Sequence, residues 1–129
     1  MTQQREQKEP PRKFEVLEHT ADVLIAAYGE TLAELFENAA YGMVSVSYDP
    51  ESVRRERLAP VRVQAGALPD ALVAWLKEVV FLGETEEMAF GVFQAEVSRG
   101  LESIEVSGRL WGQPWGENVR RRGAVVKAV

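Results

Sequence analysis

Several chemical groups are scarce or missing in these 129 residues. Cysteine is absent, which excludes disulfides, thiolate metal sites and a thiol nucleophile. His19 is the single histidine, so a zinc site with several histidine ligands is excluded as well. No apolar run approaches the roughly 20 residues of a membrane-spanning helix, and the polar N-terminus contains no apolar core of a secretory signal. We therefore expect a cytoplasmic protein that does not enter a membrane.

The signatures of a self-contained enzyme are also missing. There is no GxxxxGK phosphate loop, no GxGxxG after a strand and no serine in a GxSxG setting. His19 and Asp22 lie three residues apart, but no nucleophile is placed to complete a triad. A lone histidine is more often structural or solvent-facing than a catalytic base. An enzyme that acts by itself is therefore poorly supported.

Charge and composition describe an acidic globular protein. Hydrophobic residues make up 46% and charged residues 27% of the chain, as is usual for one folded domain. The formal net charge of −5 argues against strong direct nucleic-acid binding, which depends on neutralising phosphates. The run Arg120-Arg121-Arg122 is interpreted as a solvated loop or hairpin tip.

Hydrophobic periodicity predicts two helices and five strands. Residues 1–13 are interpreted as a flexible leader and residues 14–129 as the folded domain. Thr31 and Glu34 match a capping box at the start of the first helix, and Pro69-Asp70 opens the second. The predicted elements are a strand at 23–28, a helix at 31–46, a strand at 58–65, a helix from 69 to about 82, and strands at 91–98, 101–111 and 123–129.

This β-α-β-α-β-β-β order predicts an α+β fold. The late strands follow one another through hairpin signals, without a second series of βα crossovers. The simplest arrangement is a single domain with a mixed or antiparallel sheet and two helices packed on one face.

The candidate site is built on carboxylates. Asp22 lies where a polar turn enters an apolar strand, and a charge in that position needs a partner. The partner is either the backbone N–H groups of the turn, as is common for Asp, or a cation. Glu84 and Glu86 follow the second helix, where negative charge opposes the helix dipole and can mark a cation or a basic partner. Oxygen ligands alone suit Ca²⁺ or Mg²⁺ and not zinc.

Four ordered motifs resemble the archease family. They are LEHTAD at 17–22, YGETLAELFENAAYGM at 28–43, ALVAWLKEVVFLGETE at 71–86 and VKAV at 126–129. The resemblance implies an accessory protein of the tRNA-splicing RNA ligase, which joins 2′,3′-cyclic phosphate and 5′-hydroxyl ends with GTP and manganese. The accessory protein promotes guanylylation of the ligase and its multiple turnover. Archeases are also described as chaperone-like modulators of RNA-processing enzymes.

The resemblance further implies a divalent cation, seen in the family as calcium, with Asp22 as one ligand. Family members continue past VKAV to another strand and a C-terminal aspartate that joins the metal site. The given sequence ends at Val129 without them, so either it is truncated before that strand or its metal site is incomplete. Lys127 either lies near the Asp22 carboxylate or is an edge-strand lysine that discourages aggregation. His19, Glu84, Glu86 and Lys127 are the residues expected to support the metal or the partner.

Two other functions remain open at this point. A metal-dependent hydrolase would use Asp22 with Glu84 or Glu86, and it requires these carboxylates to converge on one cation. A general chaperone would require a sizeable exposed apolar patch.

Overall fold

A computed structural model describes residues 12–17, 24–123 and 126. The predicted leader at 1–13 and the predicted strand at 123–129 lie largely outside these residues. The described elements are β1 (Phe14–Leu17), β2 (Leu24–Ala27), α1 (Leu32–Ser45), a 3-10 turn (Pro50–Ser52), β3 (Arg57–Ala65), α2 (Leu68–Thr85), β4 (Met88–Arg99) and β5 (Ile104–Pro114).

The strands form two antiparallel sheets. β3, β5 and β4 lie side by side in that order, and β1 pairs with β2 in a separate hairpin. One face of the three-stranded sheet is apolar and packs against both helices, with Val61, Phe93 and Leu110 buried there. The hairpin packs against α1. The predicted α+β class, with both helices on one face, is confirmed.

The observed order, β-β-α-β-α-β-β, differs from the prediction at its beginning. β1 was not predicted, because its four residues are too few to show a strand alternation. It becomes a strand by pairing with β2, with Phe14 opposite Ala27 and Leu17 opposite Leu24. Short strands of this kind are specified by their partner and not by their own sequence.

The capping box of α1 forms as the sequence predicts. The backbone N–H of Glu34 donates to Thr31 Oγ1 at 3.1 Å. The Glu34 carboxylate accepts in return from the backbone N–H of Glu30 at 3.0 Å, one residue earlier than in the usual motif. The bond to Thr31 satisfies a donor that the first helical turn leaves unpaired.

α2 runs past Gly83, where its end was predicted. The helix continues to Thr85 and is capped by Glu86, whose N–H bonds to the carbonyl of Leu82. Glu87 then takes a φ of 54°, the left-handed conformation that usually follows a helix and favours glycine. This residue turns the chain directly into β4 at Met88.

Trp75 is the centre of the core. Its side chain is fully buried, and its Nε1 donates to the carbonyl of Phe36 at 2.8 Å, which joins α2 to α1. The ring also lies over Gly108 of β5, where a Cβ atom would come within 2.5 Å of Trp75 Cζ3. The largest fully buried side chains are Trp75, Phe36, Phe90, Leu110, Val79 and Val106.

A β-bulge between Phe90 and Val92 brings the loop after α1 against the sheet. The buried Tyr48 hydroxyl accepts from the Phe90 N–H at 2.9 Å and donates to the Phe90 carbonyl at 2.7 Å. A Cβ atom on Gly91 would lie 2.6 Å from the Pro50 carbonyl oxygen, so glycine allows this close approach.

The arginine run holds the end of the described chain against the loop after α1. The backbone carbonyl of Arg120 accepts from the Asp49 N–H at 2.8 Å, and the Arg120 guanidinium pairs with the Asp49 carboxylate. Arg122 Nη1 donates to the carbonyl of Ser45, at the C-terminal end of α1, at 2.6 Å. These side chains are exposed, as predicted, but each of the three also contacts a specific partner, which for Arg121 is the Trp115 ring.

Gly108→Ala is expected to lower the free energy of unfolding by about 1–3 kcal/mol, because the added methyl group overlaps the Trp75 ring. Urea denaturation measures this change. Gly66→Ala is the matched control, since a Cβ atom there meets nothing within 4 Å. Equal effects of the two substitutions would contradict the close contact.

Asp49 caps the 3-10 turn, because its carboxylate accepts the backbone N–H of Glu51. Asp49→Ala is expected to destabilise the protein by about 1 kcal/mol at neutral pH, as the loss of a capping side chain usually does. The N–H of Glu51, together with the Arg120 guanidinium, holds the pKa of Asp49 below its ordinary value of 3.8. The ionised carboxylate therefore stabilises the fold above that value, and the effect is lost as the pH falls through the lowered pKa.

The difference in stability between Asp49→Ala and the parent should thus shrink under strongly acidic conditions. Thermal unfolding as a function of pH tests this expectation. Glu102→Ala, in the exposed turn between β4 and β5, serves as the control and should show no such trend. A difference that stays constant down to the most acidic pH would refute the role of the charge.

Candidate functional site

The residues predicted as a site divide into two groups. His19, Asp22 and Lys127 lie outside the described residues, so their positions relative to one another stay a prediction. Glu84 lies in the last turn of α2 and Glu86 caps that helix, and both are exposed. Within residues 12–17, 24–123 and 126, no three acidic or histidine side chains come close enough to hold a metal ion. Glu84 and Glu86 therefore belong to no such group among the described residues.

The first groove, of about 730 Å³, lies along α1. Glu34, Glu37 and Tyr41 of α1 line it, together with Lys13 and Tyr28 beside the β1–β2 hairpin. Gly91, Val92 and Phe93 of β4 close the other side. We call it the α1 groove.

Three of the four carboxylates that line the α1 groove are engaged within the protein. Glu34 belongs to the capping box, and Glu37 accepts the backbone N–H of Ala95 on the outer edge of β4 at 2.9 Å. Glu51 accepts the hydroxyl of Tyr41. These carboxylates join α1 to its neighbours and fix the walls of the groove.

The tyrosine hydroxyls near this groove act as donors. Burial, together with the hydrogen bond to Glu51, raises the pKa of Tyr41. The hydrogen bond to Glu15 raises the pKa of Tyr28 in the same direction. Both phenols therefore donate to carboxylates and orient them, with Tyr28 bonded to Glu15 and Tyr41 to Glu51.

A second groove, of about 610 Å³, lies between the C-terminal ends of α1 and α2. Met43 and Val44 of α1 and Val79 of α2 form its apolar wall, and Glu84 and Arg121 stand at its charged rim. The methionine of the α1 stripe is a core residue, as its helical spacing indicated.

The aromatic rim of the second groove was not anticipated from the sequence. Trp115 meets Tyr48 edge to face, with 5.1 Å between ring centroids. The Arg121 guanidinium lies 4.2 Å from the Trp115 ring. The sequence shows an arginine run a few residues after Trp115 in a glycine-rich turn. This proximity alone does not predict the cation–π contact between Arg121 and Trp115.

Charge is distributed unevenly between the two sides of the molecule. Residues 30–51, which include α1, contain five acidic and no basic residues, and residues 68–87, which include α2, contain five acidic residues and one lysine. The three strands β3, β4 and β5 carry four arginines and two glutamates. The two helical segments are therefore strongly acidic and the strands are not, which favours basic partners on the helical side away from the arginine run at the end of α1.

In the part of the chain that the structure describes, no helix is long and apolar enough to cross a membrane.

Comparisons with known proteins agree with this architecture. The family model of the Archease protein family matches residues 14–129. The chain superimposes on the solution structure of Methanobacterium thermoautotrophicum protein 1598 with a TM-score of 0.77 and 29% identity, over 88% of this chain and 81% of that one.

Relatives named "Protein archease" match at the level of sequence. The protein of Sulfurisphaera tokodaii is 33% identical over 118 residues, which cover 92% of this chain and 84% of that protein. The protein of Methanosarcina mazei is 46% identical over 91 residues, or 70% of this chain. That match spans 62% of the M. mazei protein, less than two thirds of its length. The matched family model and these relatives show that the chain belongs to the archease family.

Proposed function

We propose that this protein is an accessory factor of the tRNA-splicing RNA ligase, which promotes guanylylation of the ligase and its multiple turnover. The observation that carries the proposal is membership of the archease family, which extends over residues 14–129 and so includes all four motifs. In this proposal the chemistry of ligation belongs to the ligase, and the accessory protein acts by binding it.

The proposed cation site is built on Asp22 and takes a divalent cation, with calcium as the expected ion. A carboxylate that enters an apolar strand needs a partner of opposite charge or several N–H groups, and carboxylate oxygens suit a hard cation. His19 and Lys127 are proposed to support this site or the partner. All three residues lie in the motifs that carry the family resemblance, outside the described residues.

The helical side is the proposed surface for the ligase. Ten acidic residues lie in the two segments that contain α1 and α2, against one lysine. The negative electrostatic potential of these residues accelerates association with a basic cleft, and salt weakens this effect by screening the charges. Glu84 and Glu86 are exposed at the end of α2, so in this proposal they contact the partner.

No described feature favours the two alternative functions. Glu84 and Glu86 join no group of metal-binding side chains among the described residues, as a hydrolase centre would need. The exposed large apolar side chains are spread over several parts of the fold, namely Tyr28 after β2, Leu58 on β3, Val73 and Phe81 on α2, and Leu101 in the turn before β5. A general chaperone would instead gather them in one patch.

Asp22→Asn is expected to reduce stimulation of the ligase by at least about tenfold, since even groups that only support a metal ligand contribute this much. The measurement is guanylylation and RNA sealing with ligase limiting and RNA in excess, with and without the 129-residue protein. Glu102→Gln is the matched control, because it also removes one carboxylate charge and Glu102 is exposed outside the segments that contain α1 and α2.

Circular dichroism should show that both variants keep the parent fold. If the parent protein gives no stimulation, the proposed function is wrong. If the parent stimulates and Asp22→Asn stimulates equally, the accessory role stands and the proposed cation site is wrong.

A further inference from the structure

The outer face of the three-stranded sheet, opposite the helices, carries a flat row of apolar side chains. In the strand register, Leu58 of β3 and Val92 of β4 flank Trp111 of the central strand β5. The next row places Pro60 and Gln94 on either side of Arg109. Each row is about 10 Å wide, which is two spacings between neighbouring strands. We call these two rows, together with Arg55, the outer-face patch.

Arg55 lies over the middle of the apolar row. Its guanidinium carbon is 4.8 Å from the centroid of the Trp111 ring. At this distance the guanidinium makes a cation–π contact with the face of the indole. The Trp111 Nε1 is buried and has no hydrogen-bond partner among the described residues, so the indole is held in this place by stacking and packing.

The patch itself carries two arginines and no acidic residue, and Glu96 of β4 lies one row beyond Arg109 on the same face. Neither Arg55 nor Arg109 forms an ion pair with a described residue. The glutamates of the sheet lie further along the strands, where Glu105 pairs with Arg62 at 3.0 Å. Leu58 is 44% exposed, although it lies in the same row as Trp111. The patch is thus a small, flat, cationic and partly apolar surface on an otherwise acidic protein.

We propose that the outer-face patch binds single-stranded RNA. One base stacks on the Arg55 guanidinium, which Trp111 supports from below, and Arg109 neutralises an adjacent phosphate. Stacking of bases on arginine planes and aromatic rings is the usual mode of single-strand recognition on sheets. The acidic helical side repels the same RNA, so it directs the strand to this face.

The arrangement of the patch favours RNA over an acidic peptide. An acidic peptide would form ion pairs with the two arginines, but it has no planar group to stack on the Arg55 guanidinium. RNA fits both features of the patch, because each nucleotide has a flat base for the Arg55 guanidinium and a charged phosphate for Arg109. With two arginines and a net charge of −5, the affinity is expected to be weak, with a Kd on the order of 10⁻⁵ M at low salt.

The test is the fluorescence anisotropy of a labelled single-stranded oligouridylate of about 12 nucleotides, titrated with the full chain in about 50 mM salt, where phosphate contacts are strong. Arg55→Ala removes the stacking plane and is expected to weaken binding about tenfold. Arg109→Glu is expected to weaken it at least as much, because it replaces a phosphate contact with repulsion.

Arg99→Glu is the matched control. It makes the same change of charge at an exposed position of the same sheet, at the far end of β4, and it should change the Kd less than twofold. Thermal melting verifies that the variants fold. The inference is wrong if the parent protein does not bind the RNA, or if Arg99→Glu weakens binding as much as Arg109→Glu.

A labelled oligoglutamate peptide of the same length distinguishes the second class of partner. Stronger binding of this peptide than of RNA, with loss in Arg55→Ala and Arg109→Glu, would overturn the inference and assign the patch to a protein partner. These measurements use the chain alone, so their failure leaves the proposed action on the ligase untouched.

Discussion

The contact between Trp75 and Gly108 sets the spacing of the layers in this fold. The indole fills the space between α2 and the central strand β5, and a side chain at position 108 would exclude it. The same ring donates its N–H to the Phe36 carbonyl of α1, so the two helices are joined through one side chain. A buried indole needs such an acceptor. The paired helices then cover the apolar face of the sheet, whereas Leu58 and Arg109 on the opposite face are exposed.

The helices could be predicted because their information is local. The apolar stripe of α1 repeats with the helical period, and Thr31 with Glu34 signals its first turn within four residues. The long strands β3, β4 and β5 were also predicted, from alternation and from the turn signal at Gly100. The end of α2 was predicted too early, because Gly83 stops a helix only when tertiary packing allows it. Here Glu87 takes the left-handed position instead.

What escaped prediction depends on residues far apart in the chain. The pairing of Asp49 with Arg120 joins positions 71 residues apart, and the row that places Leu58 beside Trp111 depends on the register between two strands. No window of sequence contains such information. The same contrast applies to the predicted site. The positions of Glu84 and Glu86 at the end of α2 could be predicted from the local sequence. Whether they converge on Asp22 depends on tertiary structure, which the local sequence does not contain.

The separate β1–β2 hairpin has a consequence for how the protein opens. Among the described elements, the hairpin contacts only α1, so it can detach while the helices and the three-stranded sheet stay folded. Its amides should then exchange with solvent by local opening, faster than those of β5 at the centre of the larger sheet. Asp22 belongs to the segment that connects β1 to β2. A cation bound there would favour the closed hairpin by mass action, and the local stability of this unit would report metal occupancy.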